Sequence, residues 1–161
     1  SPLVANFGSI GGWCGVPAAG IYCASKAAIV LYTEALRVKM TSFNIEVTCI
    51  EPGYFRTNFL TGNNKVTAKK SIPELGDAIQ SSRDALAAYN LNQLGDPVKG
   101  AQVLFEALTK TGRCEGRVLP STLTLGKDSF VMTRESIAQE KEMLDGWEET
   151  FGSTDCDDAK V

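Results

Sequence analysis

The chain is 161 residues long, 43% hydrophobic and 22% charged, with a formal net charge of −3. That is the size of one domain, too apolar for a disordered tail and lacking the basic surplus of a nucleic-acid binder. It contains no histidine, which excludes Ser-His-Asp and Cys-His nucleophile systems, a histidine metal site and a histidine proton shuttle.

Acid-base chemistry must then fall to Tyr, Lys, Cys or carboxylates. Cys14, Cys23, Cys49, Cys114 and Cys156 form an odd set with no C-x-x-C pair. That argues against a disulfide framework or a zinc ribbon and for a reducing, cytoplasmic setting. No stretch reaches the ~18 apolar residues of a membrane span. The start, Ser1-Pro2-Leu3-Val4, lacks the basic region of a secretory signal.

In chain order, Leu3 to Phe7 reads as a short buried strand ending at Gly8. Residues 8–20 form a Gly-rich loop. From Ile21 to Met40 the pattern is helical, with apolar residues on almost every face of its first half, as in a helix buried on two sides. Asn44 turns the chain into a β-branched strand, Ile45 to Ile50, stopped by Glu51-Pro52-Gly53. Strand, helix and strand make one parallel βαβ unit.

Residues 58–75 are polar and aperiodic, read either as a surface connection or as a mobile lid over a site. A helix is expected over 77–88. Asp96-Pro97 caps and opens another, which Gly112 ends. Residues 117–120 and 123–125 suggest a third strand. Asp128 is read as the cap of a last helix over 129–148, where Phe130, Ile137 and Leu144 mark a docking face. The acidic tail, 152–161, is expected to fray.

The Gly-rich loop follows a strand and precedes a helix, yet Gly8, Gly11, Gly12 and Gly15 fit neither G-x-G-x-x-G nor G-x-x-x-x-G-K-[ST]. The glycines instead suit a close approach to another ligand or backbone. The better signal is Tyr22-x-x-x-Lys26, a pair one helical turn apart on one face. A nearby ammonium favours the phenolate, which makes a tyrosine usable as a general acid-base without histidine. As residues alone, the two could also be a chance surface pair. Ser9, thirteen residues before Tyr22, and the Pro52-Gly53 turn lie at the carboxyl ends of the two expected strands. Ligands of parallel α/β sheets bind at that edge. Cys14 and Cys23 are read as packing residues. Trp13, Val16 and Ile21 line a pocket or belong to the core. Tyr54, Phe55, Phe59 and Leu60 would make the inner face of the lid apolar.

Asn6-x-x-Ser9, Tyr22-Cys23-Ala24-Ser25-Lys26 and Glu51-Pro52-Gly53-Tyr54-Phe55-Arg56-Thr57 resemble the short-chain dehydrogenase/reductase family over residues 3–60. The resemblance implies an α/β fold, a Rossmann-type doubly wound parallel sheet, here truncated to about its last three strands plus helices. Residues 1–151 would be the C-terminal part of one domain, with the catalytic motif at 9–26, the cofactor turn at 52–57, a substrate lid at 58–75 and a tail at 152–161. The family's glycine-rich loop and active-site Asn have no counterpart, so about 120 residues of an ordinary member would precede Leu3.

The resemblance also implies roles. Tyr22 would exchange a proton with a carbonyl or alcohol as hydride passes to or from NAD or NADP. Lys26 would support Tyr22 and hold the nicotinamide ribose. Ser9 would bind the substrate oxygen. Pro52, Gly53, the backbone of Phe55 and the side chain of Thr57 would contact cofactor, Thr57 being alternatively a cap for the segment after it. The segment that chooses between NAD and NADP is not in this chain. The expected substrate is a small, apolar carbonyl or alcohol, with no nucleic acid, membrane or metal. The full-length parent is expected to be a homo-oligomer paired through the long helix. The alternatives are a non-catalytic binding or scaffold protein and an NAD-using epimerase or dehydratase.

Overall fold

The computed structural model describes residues 2–61, 70, 72–156 and 158. Its elements are β1 (Leu3–Phe7), α1 (Gly20–Met40), β2 (Glu46–Pro52), α2 (Gly76–Tyr89), α3 (Pro97–Thr109), β3 (Thr122–Leu125) and α4 (Lys127–Gly152), joined by short 3₁₀ turns. The strands form one parallel sheet in the order β1-β2-β3. Phe7 lies beside Ile50, and Pro52 beside Leu125. The carboxyl ends of all three strands therefore share one rim.

The core is the central strand. Val47, Thr48, Cys49, Ile50 and Glu51 are all buried. This apolar, β-branched run is covered on both faces, as central parallel strands are. The third strand is shorter than the sequence suggests. Residues 117–120 lie outside it, because side chains take their carbonyls. Arg37 donates to Leu119 O, Pro120 O and Val47 O, and Thr48 Oγ1 donates to Pro120 O.

Two helices depart from expectation. α1 is not buried on two sides. Cys23 and Thr33 are its buried residues, while Ile21, Leu31, Tyr32 and Val38 are exposed. Its apolar outer face packs on nothing among the described residues. On α4, Phe130, Ile137 and Leu144 are also exposed, so the docking face meets no partner there. The helix runs to Gly152 rather than ending near 148.

Asp96 caps α3 as expected, accepting from Val98 N and Lys99 N. That helix ends at Thr109, where Lys110 takes the left-handed conformation (φ 56°) before Gly112 can. Asp128 does not cap α4. Gly126, at φ 100°, occupies the cap position, and the Asp128 carboxylate reaches across to the turn after β2. Of the expected lid, residues 62–69 and 71 lie outside the described residues, as do 157 and 159–161 of the tail.

Candidate active site

Ser9 begins the site at the end of β1. It caps a 3₁₀ turn (Ile10–Gly12), its Oγ accepting from Gly11 N at 3.1 Å. Accepting that bond leaves the hydroxyl proton free to donate. The turn lays the loop against α1. A Cβ at Gly11 would stand 3.2 Å from Tyr22 Cε1 and 3.6 Å from Ser9 Oγ. Both side chains thus border the same small space.

Tyr22 and Lys26 sit in the first two turns of α1, on the face toward this rim. Lys26 Nζ lies 5.7 Å from the Tyr22 ring centroid and donates to Phe7 O at 3.1 Å. One ammonium N–H is fixed on β1, and two remain for other acceptors. Tyr22 is 40% exposed, open enough to meet a ligand. Phe59, in the 3₁₀ turn Asn58–Leu60, lies 6.4 Å from it, ring centroid to centroid.

The 52–57 turn faces them from the end of β2 and is held from both sides. On the α4 side, Gly53 N donates to Leu125 O and Tyr54 N to Asp128 Oδ2 at 2.8 Å. Ser129 Oγ donates to Glu51 O. A Cβ on Gly53 would come within 2.2 Å of Asp128 Oδ1, so any larger residue would push the Asp128 carboxylate from its place on the turn. On the α3 side, Arg56 N donates to Gly95 O, Gly95 N to Tyr54 O, and the Arg56 guanidinium to Gln93 O. The Phe55 ring fills the notch left by Gly95 and Gly100, where a Cβ on Gly100 would stand 2.5 Å from Phe55 Cε1. Tyr54 packs edge-on against Tyr89 of α2, and burial pushes its phenol above the usual value.

Tyr54 and Phe55 therefore anchor the turn inward instead of lining a lid. Of the expected apolar lid residues, Phe59 is placed against Tyr22. Thr57 Oγ1 accepts from Phe59 N and caps the 3₁₀ turn after it. Its own proton stays available. The N–H of Phe55 has no acceptor among the described residues, so it can serve a ligand on the rim.

Glu51 and Trp13 complete the surroundings. Glu51 Oε2 accepts from the Trp13 indole N–H at 2.7 Å, and burial pushes the carboxyl above the usual carboxylate range. A shallow cavity of about 250 Å³ between the glycine-rich loop and α1 is lined by Gly11, Gly12, Trp13, Cys14, Cys23 and Ala27, with no charged side chain. Val16 is half-buried and Ile21 exposed, so Ile21 is no core residue. Burial raises the Cys14 and Cys49 thiols, which keeps them protonated and inert near neutral pH. Sequence pattern does not mark Asp128, Gly95, Gly100 or Glu51 as site residues. The one usable signal is Leu125-Gly126-Lys127-Asp128 after a strand, where a positive-φ glycine precedes an acid.

Comparison with known proteins gives a consistent picture. The family model described as short chain dehydrogenase matches residues 3–68. The chain is 30% identical over 110 residues to the uncharacterized oxidoreductase YusZ of Bacillus subtilis, covering 66% of this chain and 39% of that protein. It is 35% identical over 103 residues to a cyclopentanol dehydrogenase of Comamonas, covering 63% and 36% of the two chains. It is 43% identical over 61 residues to a 3-ketodihydrosphingosine reductase of Bacteroides thetaiotaomicron, covering 38% and 23%. A crystal structure of a short-chain dehydrogenase from Streptomyces avermitilis superposes with a TM-score of 0.76 at 29% identity, over 97% of this chain and 53% of that one. The chain thus spans less than half the length of these curated relatives.

Proposed function

Because the chain belongs to the short-chain dehydrogenase/reductase family, we propose that it is the catalytic part of an NAD(P)-dependent oxidoreductase acting on a carbonyl or alcohol. The observation that carries this reading is the convergence of Ser9, Tyr22 and Lys26 with the 52–57 turn on one sheet rim.

The residues present suit a nicotinamide dinucleotide. Phe55 N–H has no acceptor among the described residues, and Lys26 keeps two N–H groups beyond its bond to Phe7 O. Lys26 would hold the ribose, and Pro52, Gly53, Phe55 and Thr57 the nicotinamide end. When bound, that group supplies or accepts hydride.

The side chains of the chain do the rest. Tyr22 holds the proton at its Oη and gives it to the substrate oxygen in reduction, or takes it back in oxidation. Lys26 stands above the Tyr22 ring, its Nζ 5.7 Å from the centroid, and places a positive charge beside the reacting group. Ser9 Oγ donates its free proton to the same substrate oxygen and fixes it near Tyr22. A positioned acid-base of this kind contributes on the order of 10²–10⁴-fold. The uncharged cavity lining and Phe59 favour an apolar substrate. The parent enzyme pairs through the exposed apolar face of α1.

The test is oxidation of NADH and NADPH by the complete protein against a panel of carbonyls, and the reverse with alcohols. Turnover with at least one apolar pair is expected. Binding without net change of free cofactor or substrate redox state would overturn the reading in favour of an epimerase, a dehydratase or a scaffold.

A further inference from the structure

Glu51 is a buried carboxyl that the proposed chemistry does not use. It stands directly before Pro52 in the central strand, at 0% exposure. A desolvated carboxyl is costly unless it is hydrogen-bonded. Glu51 Oε2 accepts from Trp13 Nε1 at 2.7 Å, and Oε1 has no partner among the described residues.

Trp13 belongs to the loop that carries Ser9 and leads to Tyr22. The start of this loop is tied to the sheet by Gly8 N donating to Ile50 O. Gly12 lies flat on α1, where an added Cβ would stand 3.3 Å from the Lys26 backbone. Among the described residues, the indole–carboxyl bond is the one side-chain hydrogen bond from this loop to β2. The same indole borders the uncharged cavity between this loop and α1.

We propose that Glu51 is a positioning residue that holds the Trp13 ring as a fixed apolar wall of the cavity between the Ser9-bearing loop and α1. Its role in substrate choice rests on the proposed oxidoreductase activity; its hold on Trp13 does not. A buried acceptor is well suited to this, since a tryptophan half in and half out of a cavity has few other restraints on its orientation. The carboxyl is desolvated and its pKa raised, so its ionisation is readable. The titratable group seen to interact with it is Cys49 on its own strand.

In the complete protein, the Trp13 signal is isolated by difference against a Trp13→Phe variant. Acrylamide quenching of its fluorescence and the NMR resonance of its indole N–H are then followed across pH. The resonance is expected far downfield and moving with a single titration. Glu51→Gln removes that titration while quenching stays low, because the amide oxygen still accepts. Glu51→Leu leaves the indole N–H unpaired and raises the quenching constant about twofold. In the complete protein, Glu51→Leu raises KM for the carbonyl substrate about tenfold with a smaller change in KM for cofactor, and Gln restores it.

A titration that persists in Glu51→Gln, or quenching unchanged in a folded Glu51→Leu, would overturn the proposal. If the Leu variant does not fold, the Gln titration decides. If the complete protein turns nothing over, the oxidoreductase reading falls while Trp13 still reports on Glu51.

Discussion

The 52–57 turn and the first turns of α1 meet on one rim but are held in opposite ways. The turn is fixed from both flanks, by Asp128 and Ser129 of α4 and by Gln93, Gly95 and Gly100 around α3. Tyr22 stands 40% exposed, and among the described residues Lys26 makes one hydrogen bond, to a backbone carbonyl. The groups that would orient a ligand are rigid and supported from afar. The groups that would move protons stay open and locally held. Substitutions in the two regions should therefore separate stability from chemistry.

The largest effect is expected at the open side. Lys26→Met should lower turnover on the order of 10²-fold, while costing about 1 kcal/mol or less in urea unfolding, since a single exposed hydrogen bond is lost. Comparable losses in both readouts would erase the contrast.

Next comes the clamp. Asp128→Ala removes the acceptor of Tyr54 N–H and Ser129 N–H, at about 2–4 kcal/mol for bonds to a charged group. Hydrogen exchange at the Tyr54 amide should accelerate accordingly. An unchanged exchange rate would show that the turn needs no clamp.

A smaller effect is expected at Gly100. Its added methyl would press on the Phe55 ring, and overpacking costs about 1–3 kcal/mol. Gly100→Ala should lower the unfolding midpoint and loosen Phe55, with Tyr22 unaffected. The pair Gly100→Ala and Phe55→Leu should cost less than the sum of the two changes.

The smallest is at Glu51. Burial raises its carboxyl in the folded state, so the folded protein holds that proton more tightly than the unfolded chain. Stability is then full below the usual carboxylate pKa and falls as pH rises through the raised one. Glu51→Gln should flatten this slope above the ordinary carboxylate pKa in urea titrations. An identical slope in both proteins would contradict the assignment.

Local pattern carries much of this site, and distant contact carries the rest. The strand at Leu3–Phe7, the helix bearing Tyr22 and Lys26 and the Asp96 cap each follow from residues a few positions apart. Asp128 and Tyr54 are 74 residues apart, and Trp13 and Glu51 are 38 apart. Such pairs leave no periodic trace. Asp128 looks like a helix cap because acids at helix starts usually are. The glycine before it takes the cap position and frees its carboxylate for the turn. The apolar outer face of α1 suggests burial on two sides, yet it stands exposed. A hydrophobic stripe shows that a face favours cover, not which segment provides it.

The central claim is that Tyr22 moves the proton on this rim. The most direct measurement compares NAD(P)H oxidation by the complete protein and by its Tyr22→Phe variant, with urea unfolding run on both. The account predicts a loss of about 10²–10⁴-fold in turnover with an unchanged unfolding midpoint. Equal turnover by the two proteins would contradict it.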